Sequence, residues 1–127
     1  MRRTLTVAGP AAPEVAWDRY ADPRRWPDWA PPMRAVLASG PRLATGLTGT
    51  VVGPVWLRVR FRVEAVDSAA RTWSWWVAAG PVRALLGHEV LPRPGGGCVA
   101  TLTLDGPRLV VLLYPIVARL ALRRLVA

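Results

Sequence analysis

From Arg58 to Val66 the chain reads RVRFRVEAV, with Arg58, Arg60, Arg62 and Glu64 alternating with Val59, Phe61, Val63 and Ala65. A period of two with this contrast is a β-strand with one wet face and one dry face. Such a strand needs neighbours on both edges and a cover over its dry side. The neighbours follow in the sequence. Thr72 to Ala78 places Trp73, Trp75 and Val77 on one face and Ser74 and Trp76 on the other. Val82 to Leu91 opposes Ala84, Leu86, His88 and Val90 to Arg83, Gly87 and Glu89. Cys98 to Leu104 sets Cys98, Ala100, Leu102 and Leu104 against Val99, Thr101 and Thr103. Upstream, Arg2 to Ala8 alternates with Leu5 and Val7 on one face, Met33 to Ser39 is a further strand, and Gly46 to Leu57 is a glycine-spaced strand bent at Gly53-Pro54.

The cover comes from helices. Arg108 to Ala127 predicts one long helix with Arg108, Arg119 and Arg123 on one stripe. Val110, Leu113, Tyr114, Val117, Leu120 and Ala121 form the opposite, core-facing side. Pro115 removes one backbone bond and predicts a kink beside Tyr114. After the first strand, Pro13 and Glu14 open a short helix that ends near Tyr20, broken by Ala21-Asp22-Pro23. Asp22 then caps a second short helix through Trp29, which Pro31-Pro32 terminates. This segment carries Trp17, Tyr20, Trp26 and Trp29, whose rings must be buried against the sheet. Trp17 and Tyr20 are expected to pack inward, with Trp26 and Trp29 bracing the turn. The order β-α-α-β-β-β-β-β-β-α predicts an α+β fold with helices on one side of an antiparallel sheet.

At 127 residues the chain suits one domain, spanning 1–127. Its net charge of +9 comes from arginine with no lysine, and asparagine and glutamine are also absent. That skew reads as a coding bias toward Ala, Val, Leu, Pro, Gly and Arg, so the charge points only weakly to nucleic acid, and no nucleic-acid partner is expected. Cys98 is alone, which excludes an internal disulfide and makes a cytoplasmic address the default. The opening MRRTLTVAGP mimics a twin-arginine leader, but Leu5 to Ala8 is too short for its apolar core. The apolar run Leu109 to Ala118 is too short to cross a bilayer. One histidine and one cysteine on different strands cannot build a metal site, and Gly95-Gly96-Gly97 precedes a strand where a phosphate cradle would precede a helix. No cofactor is expected.

Taken in order, these pieces resemble the START-like (SRPBCC) superfamily, of polyketide cyclase/dehydrase and lipid-transport type. The resemblance runs through the opening strand, APEVAWDRYADPRRWPDWAP at residues 12–31, GLTGTV from Gly46, RVRFRVEAVD, TWSWWV, GHEVLPRPGGGCVATLTLDGP and the final helix. It implies a helix-grip fold, in which a curved antiparallel sheet of about six to seven strands wraps around a long C-terminal helix, with two short helices after strand 1 and an apolar cavity between sheet and helix. It also implies a last helix that runs further and ends in charged residues. Here the sequence reads Arg123-Arg124-Leu125-Val126-Ala127, so either the helix is shortened or one end of the cavity is more open.

Few side chains offer chemistry. His88 alternates onto the dry face of its strand, where a lone histidine is more often a hydrogen-bonded core residue than a general base. Tyr20 and Tyr114 supply hydroxyls that packing explains as well as ligand contact does. His88, Tyr20 and Tyr114 are therefore weak catalytic candidates. Arg124, Arg34 and Arg42 are candidates for pairing with an anionic headgroup or enolate at a cavity mouth, although solvated arginine is the default. The tryptophans say more: Trp56, Trp73 and Trp75 on strands, with Trp17, Trp26 and Trp29, exceed what a domain of this size needs for stability. An apolar pocket with few polar groups is the usual form of a small-molecule site. The leading expectation is a carrier for a lipid, isoprenoid, quinone or polyketide, contacted by Phe61, Trp73, Trp75, Leu86, His88, Leu102, Leu113, Tyr114 and Val117. A cyclase, aromatase or dehydratase is the second reading, and a basic module for anionic membranes the third. Transient contact with a membrane surface fits the arginine rows, and both a monomer and a homodimer are compatible with the sequence.

Overall fold

The computed structural model describes residues 1–30 and 33–127, so the expected Pro31-Pro32 stop lies outside the described residues. The elements are β1 (Arg2–Gly9), α1 (Pro13–Ala21), a 3-10 turn (Pro23–Arg25) leading into α2 (Trp26–Trp29), β2 (Ala35–Ala38), β3 (Thr48–Val52), β4 (Arg58–Asp67), β5 (Thr72–Ala79), β6 (Val82–Pro92), β7 (Cys98–Asp105) and α3 (Arg108–Leu125). The seven strands form one sheet in the order β1-β7-β6-β5-β4-β3-β2, antiparallel throughout. Its curved face closes on α3 and the two short helices. This is the α+β class that the order of elements predicts, in the helix-grip form that the resemblance implies.

The dry faces supply the core. Leu5, Phe61, Val63, Trp73, Trp75, Ala84, Leu86, Val90, Cys98, Ala100, Leu102 and Leu104 are all buried. The alternation in β4 changes phase, however. A β-bulge between Val63 and Ala65 shifts the pairing with β5, so Ala65 turns out to solvent and Val66 takes the inward place opposite Trp73. An extra residue in one strand flips every side chain after it, and the sequence pattern alone does not mark the insertion.

Two other expectations change. The strand from Gly46 to Leu57 runs only from Thr48 to Val52. After it, Gly53 to Trp56 form a turn with Val55 at φ 61°, and Trp56 is 79 % exposed. Trp56 is thus a loop-tip ring, not a strand-borne one. On α3 the buried residues are Val111, Pro115, Ala118, Leu122 and Leu125, while Leu113 and Leu120 face solvent. The core stripe is therefore rotated from the expected one. Small Pro115 and Ala118 let this side of the helix approach the sheet closely, which bulky Leu113 and Leu120 would prevent.

The end of α3 is tied down firmly. Leu125 and Val126 are buried, Ala11 N–H donates to the Val126 carbonyl, and the Arg19 guanidinium reaches the carbonyls of Arg124, Leu125 and Ala127. A cation on the last free carbonyls also meets the negative end of the helix dipole. A Cβ at Gly9 would collide with the Val126 carbonyl oxygen, so glycine there permits this docking.

Candidate functional site

Between the sheet and α3 lies a cavity of about 170 Å³. Its floor is sheet, with Val51, Val59, Val77, Ala84 and Leu86 among its residues, and its roof is Val110, Tyr114, Val117 and Ala121 of α3. Pro54 and Leu57, both exposed, mark its mouth beside the β3–β4 turn. Polar groups are scarce: the Tyr114 hydroxyl and the Trp75 indole are the two that side chains of this wall bring.

Deeper in, a second space of about 40 Å³ shares Ala30, Met33, Trp75, Tyr114 and Ala121 with the first. Aromatic rings surround it. Trp26, at the start of α2, is 1 % exposed and stacks on Trp73 with centroids 5.5 Å apart at 25°. It also meets Trp75 edge-on at 5.2 Å and Phe61 at 5.8 Å. Trp26 therefore fills the interior, where the sequence had suggested a brace for the turn. Its indole N–H donates to the Tyr20 carbonyl at 2.9 Å, and Trp29 donates likewise to the Arg19 carbonyl at 3.2 Å. The short helices are thereby stitched to α1, and Asp22 caps the 3-10 turn by accepting from Arg24 N–H.

At the centre stands His88. Its ring stacks on Trp73 at 4.4 Å and 13°. Nε2 accepts from the Trp75 indole at 3.0 Å, and Nδ1 lies 3.2 Å from the Tyr20 hydroxyl oxygen. Burial without a charged partner pushes the imidazole down to about 3, and burial likewise pushes the Tyr20 and Tyr114 phenols up. The trio is neutral across the physiological range. Burial also pushes the Cys98 thiol up, which leaves it a poor nucleophile.

The nine expected contact residues divide. Trp75 and Tyr114 border both spaces; Leu86 and Val117 line the larger; Trp73, His88 and Leu102 line the smaller. Phe61 packs behind them against Trp26 and Trp75, and Leu113 is 61 % exposed, on the outside of α3. Tyr20 borders the smaller space. Arg34, Arg42 and Arg124 are exposed and line neither space. Sequence reasoning missed Met33, Val51 and Ala121, whose apolar character is too ordinary to signal a wall.

A family model described as polyketide cyclase / dehydrase and lipid transport matches residues 2–126. No curated protein sequence matches the chain. Among solved structures, a protein from Nitrosospira multiformis superposes with a TM-score of 0.83 at 13 % identity, covering 99 % of this chain and 94 % of its own. Ara h 8.0201 follows with a TM-score of 0.80, 11 % identity and coverage of 98 % and 94 %. The major latex-like protein 151 of Panax ginseng gives 0.74 at 11 % identity, with coverage of 94 % and 93 %. These similarities establish the fold.

Proposed function

Because this chain belongs to the polyketide cyclase/dehydrase and lipid transport family, we propose that it binds a hydrophobic small molecule, of lipid, isoprenoid, quinone or polyketide type, between the sheet and α3. The observation that carries this reading is the apolar cavity of about 170 Å³ between the sheet and α3. A dry apolar cavity of roughly 150 Å³ admits one benzene-sized group. A longer ligand therefore has to leave through the mouth at Pro54 and Leu57, or lift the first turns of α3.

Native mass spectrometry of the purified protein, with solvent extraction of what travels with it, tests the reading. The expected result is an adduct that extracts into organic solvent and is absent from Ala121→Phe, whose ring fills the space shared by both cavities. A bare chain mass in every preparation, together with no uptake of an apolar fluorophore, would overturn it.

The cyclase or dehydratase reading is weaker. General acid–base work needs a group whose pKa lies near the working pH, and His88, with both ring nitrogens engaged, is held far below it. His88→Ala separates the two: it should abolish turnover in an enzyme and only weaken uptake in a carrier.

A rim of exposed apolar residues supports exchange of the ligand at an anionic membrane surface. Val55, Trp56 and Leu57 sit at one side of the mouth, and Leu109, Leu113 and Ile116 project from the α3 half that roofs it. Exposed Arg58 and Arg108 directly adjoin these two groups in the chain.

A further inference from the structure

Two residues at the inner end of this site, Tyr20 and Trp73, carry hydrogen-bond donors that lack acceptors. An indole N–H can only donate, so the 3.0 Å bond from Trp75 makes His88 Nε2 the unprotonated nitrogen of the ring. A neutral imidazole then carries its proton on Nδ1, and that proton goes to the Tyr20 oxygen 3.2 Å away. The Tyr20 oxygen is the acceptor in this chain, so its own O–H is left to donate. Among the described residues no acceptor receives it, although Tyr20 is wholly buried. Trp73 Nε1 is in the same position: buried, and without a partner among the described residues. Tyr20 and Trp73 meet edge to face at 5.4 Å, and both border the space of about 40 Å³ at the inner end of the larger cavity.

Buried donors left unpaired are costly, and native proteins satisfy them with a water or a ligand. The space has room for about one water or one small polar group. We propose that it takes the carbonyl oxygen of a neutral ligand, a ketone, quinone or ester, whose apolar remainder lies in the larger cavity. This rests on the reading that the interior is a ligand site. A carbonyl offers two lone pairs and brings no donor that would need an acceptor of its own. A carboxylate is disfavoured, because none of the residues bordering the inner space is an arginine and His88 is neutral there. An alcohol fits less well, since its hydroxyl hydrogen needs an acceptor of its own.

Four probes of one size decide the matter: acetophenone, 1-phenylethanol, ethylbenzene and benzoate. Binding is followed by calorimetry and by the indole N–H resonances, with Trp73 assigned through Trp73→Phe. Acetophenone should bind about tenfold more tightly than ethylbenzene, with benzoate weakest. It should also move the Trp73 indole proton downfield, which ethylbenzene should not. Tyr20→Phe should narrow the ratio between acetophenone and ethylbenzene. Should ethylbenzene bind as tightly as acetophenone with the Trp73 resonance unmoved, the carbonyl subsite is wrong and the cavity reading stands. Should none of the neutral probes bind, the cavity reading itself fails. If Tyr20→Phe does not fold, the resonance shift in the unmodified protein still decides.

Discussion

His88 shows how one residue's surroundings set a property of the whole protein. Its imidazole is held at about 3 in the folded state against 6.5 for a free histidine, because burial opposes its charge and no acid lies against it. The unfolded chain therefore binds one more proton than the folded chain between these values. Stability is fully present above about pH 6.5 and is lost as pH falls towards 3, with a slope of up to about 1.4 kcal/mol per pH unit from this one group. Chemical denaturation at pH 7, 6, 5 and 4 should show the loss, and His88→Phe should flatten it between pH 6 and 4. An unchanged slope in the variant would assign the acid sensitivity to other groups. The inward aim of His88 was legible from strand alternation. Its bonds to Tyr20 and Trp75 were not, because they join residues 68 and 13 positions apart across three elements.

At the scale of elements, what can be read is set by how distinct the faces of each element are. β5, β6 and β7 alternate sharply, and their inward residues are those the period indicates. In β4 the bulge at Val63–Ala65 defeats the same rule. α3 is harder, since leucine, isoleucine and valine surround it on most sides. Hydrophobicity cannot choose among several apolar stripes. Spacing could have: 111, 115, 118, 122 and 125 form an unbroken 4-3-4-3 series, and its small residues mark the side that packs closest. The same helix is unevenly anchored. Its last turn is held by Arg19 and by Ala11 N–H, while its first turn lacks a side-chain cap. Arg19→Ala should cost about 1–2 kcal/mol in denaturant unfolding, by removing a cation and its bonds from the C-terminal carbonyls. Amide exchange should then accelerate selectively around Leu122 to Val126. Uniform acceleration across the chain would mean that Arg19 contributes to global packing instead.

For the molecule as a whole, the start of α3 and the β3–β4 turn lie on the same side of the fold, around the cavity mouth. Among the described residues no helix is long and apolar enough to cross a membrane. Trp56 at 79 % and Ile116 at 74 % exposure are costly to leave in water unless something periodically covers them. An exposed tryptophan two residues from an arginine is suited to the headgroup layer of an anionic leaflet, where each nearby arginine contributes about 1 kcal/mol. Contact there would place the mouth in a low-dielectric phase and let an apolar ligand pass without crossing water. Co-sedimentation should therefore show binding to phosphatidylglycerol vesicles, weaker binding to phosphatidylcholine, and a decline with added salt. Trp56→Ser combined with Ile116→Ser should reduce phosphatidylglycerol binding by about tenfold, since two large apolar side chains no longer leave water. Neither substitution touches a wall of the cavity, so uptake of a soluble probe should be retained. Vesicle binding that survives the double substitution would leave the arginines as the whole attraction and remove the mouth from the contact. Transfer between vesicles should then become insensitive to both residues, whereas docking through the mouth requires transfer to slow in step with binding.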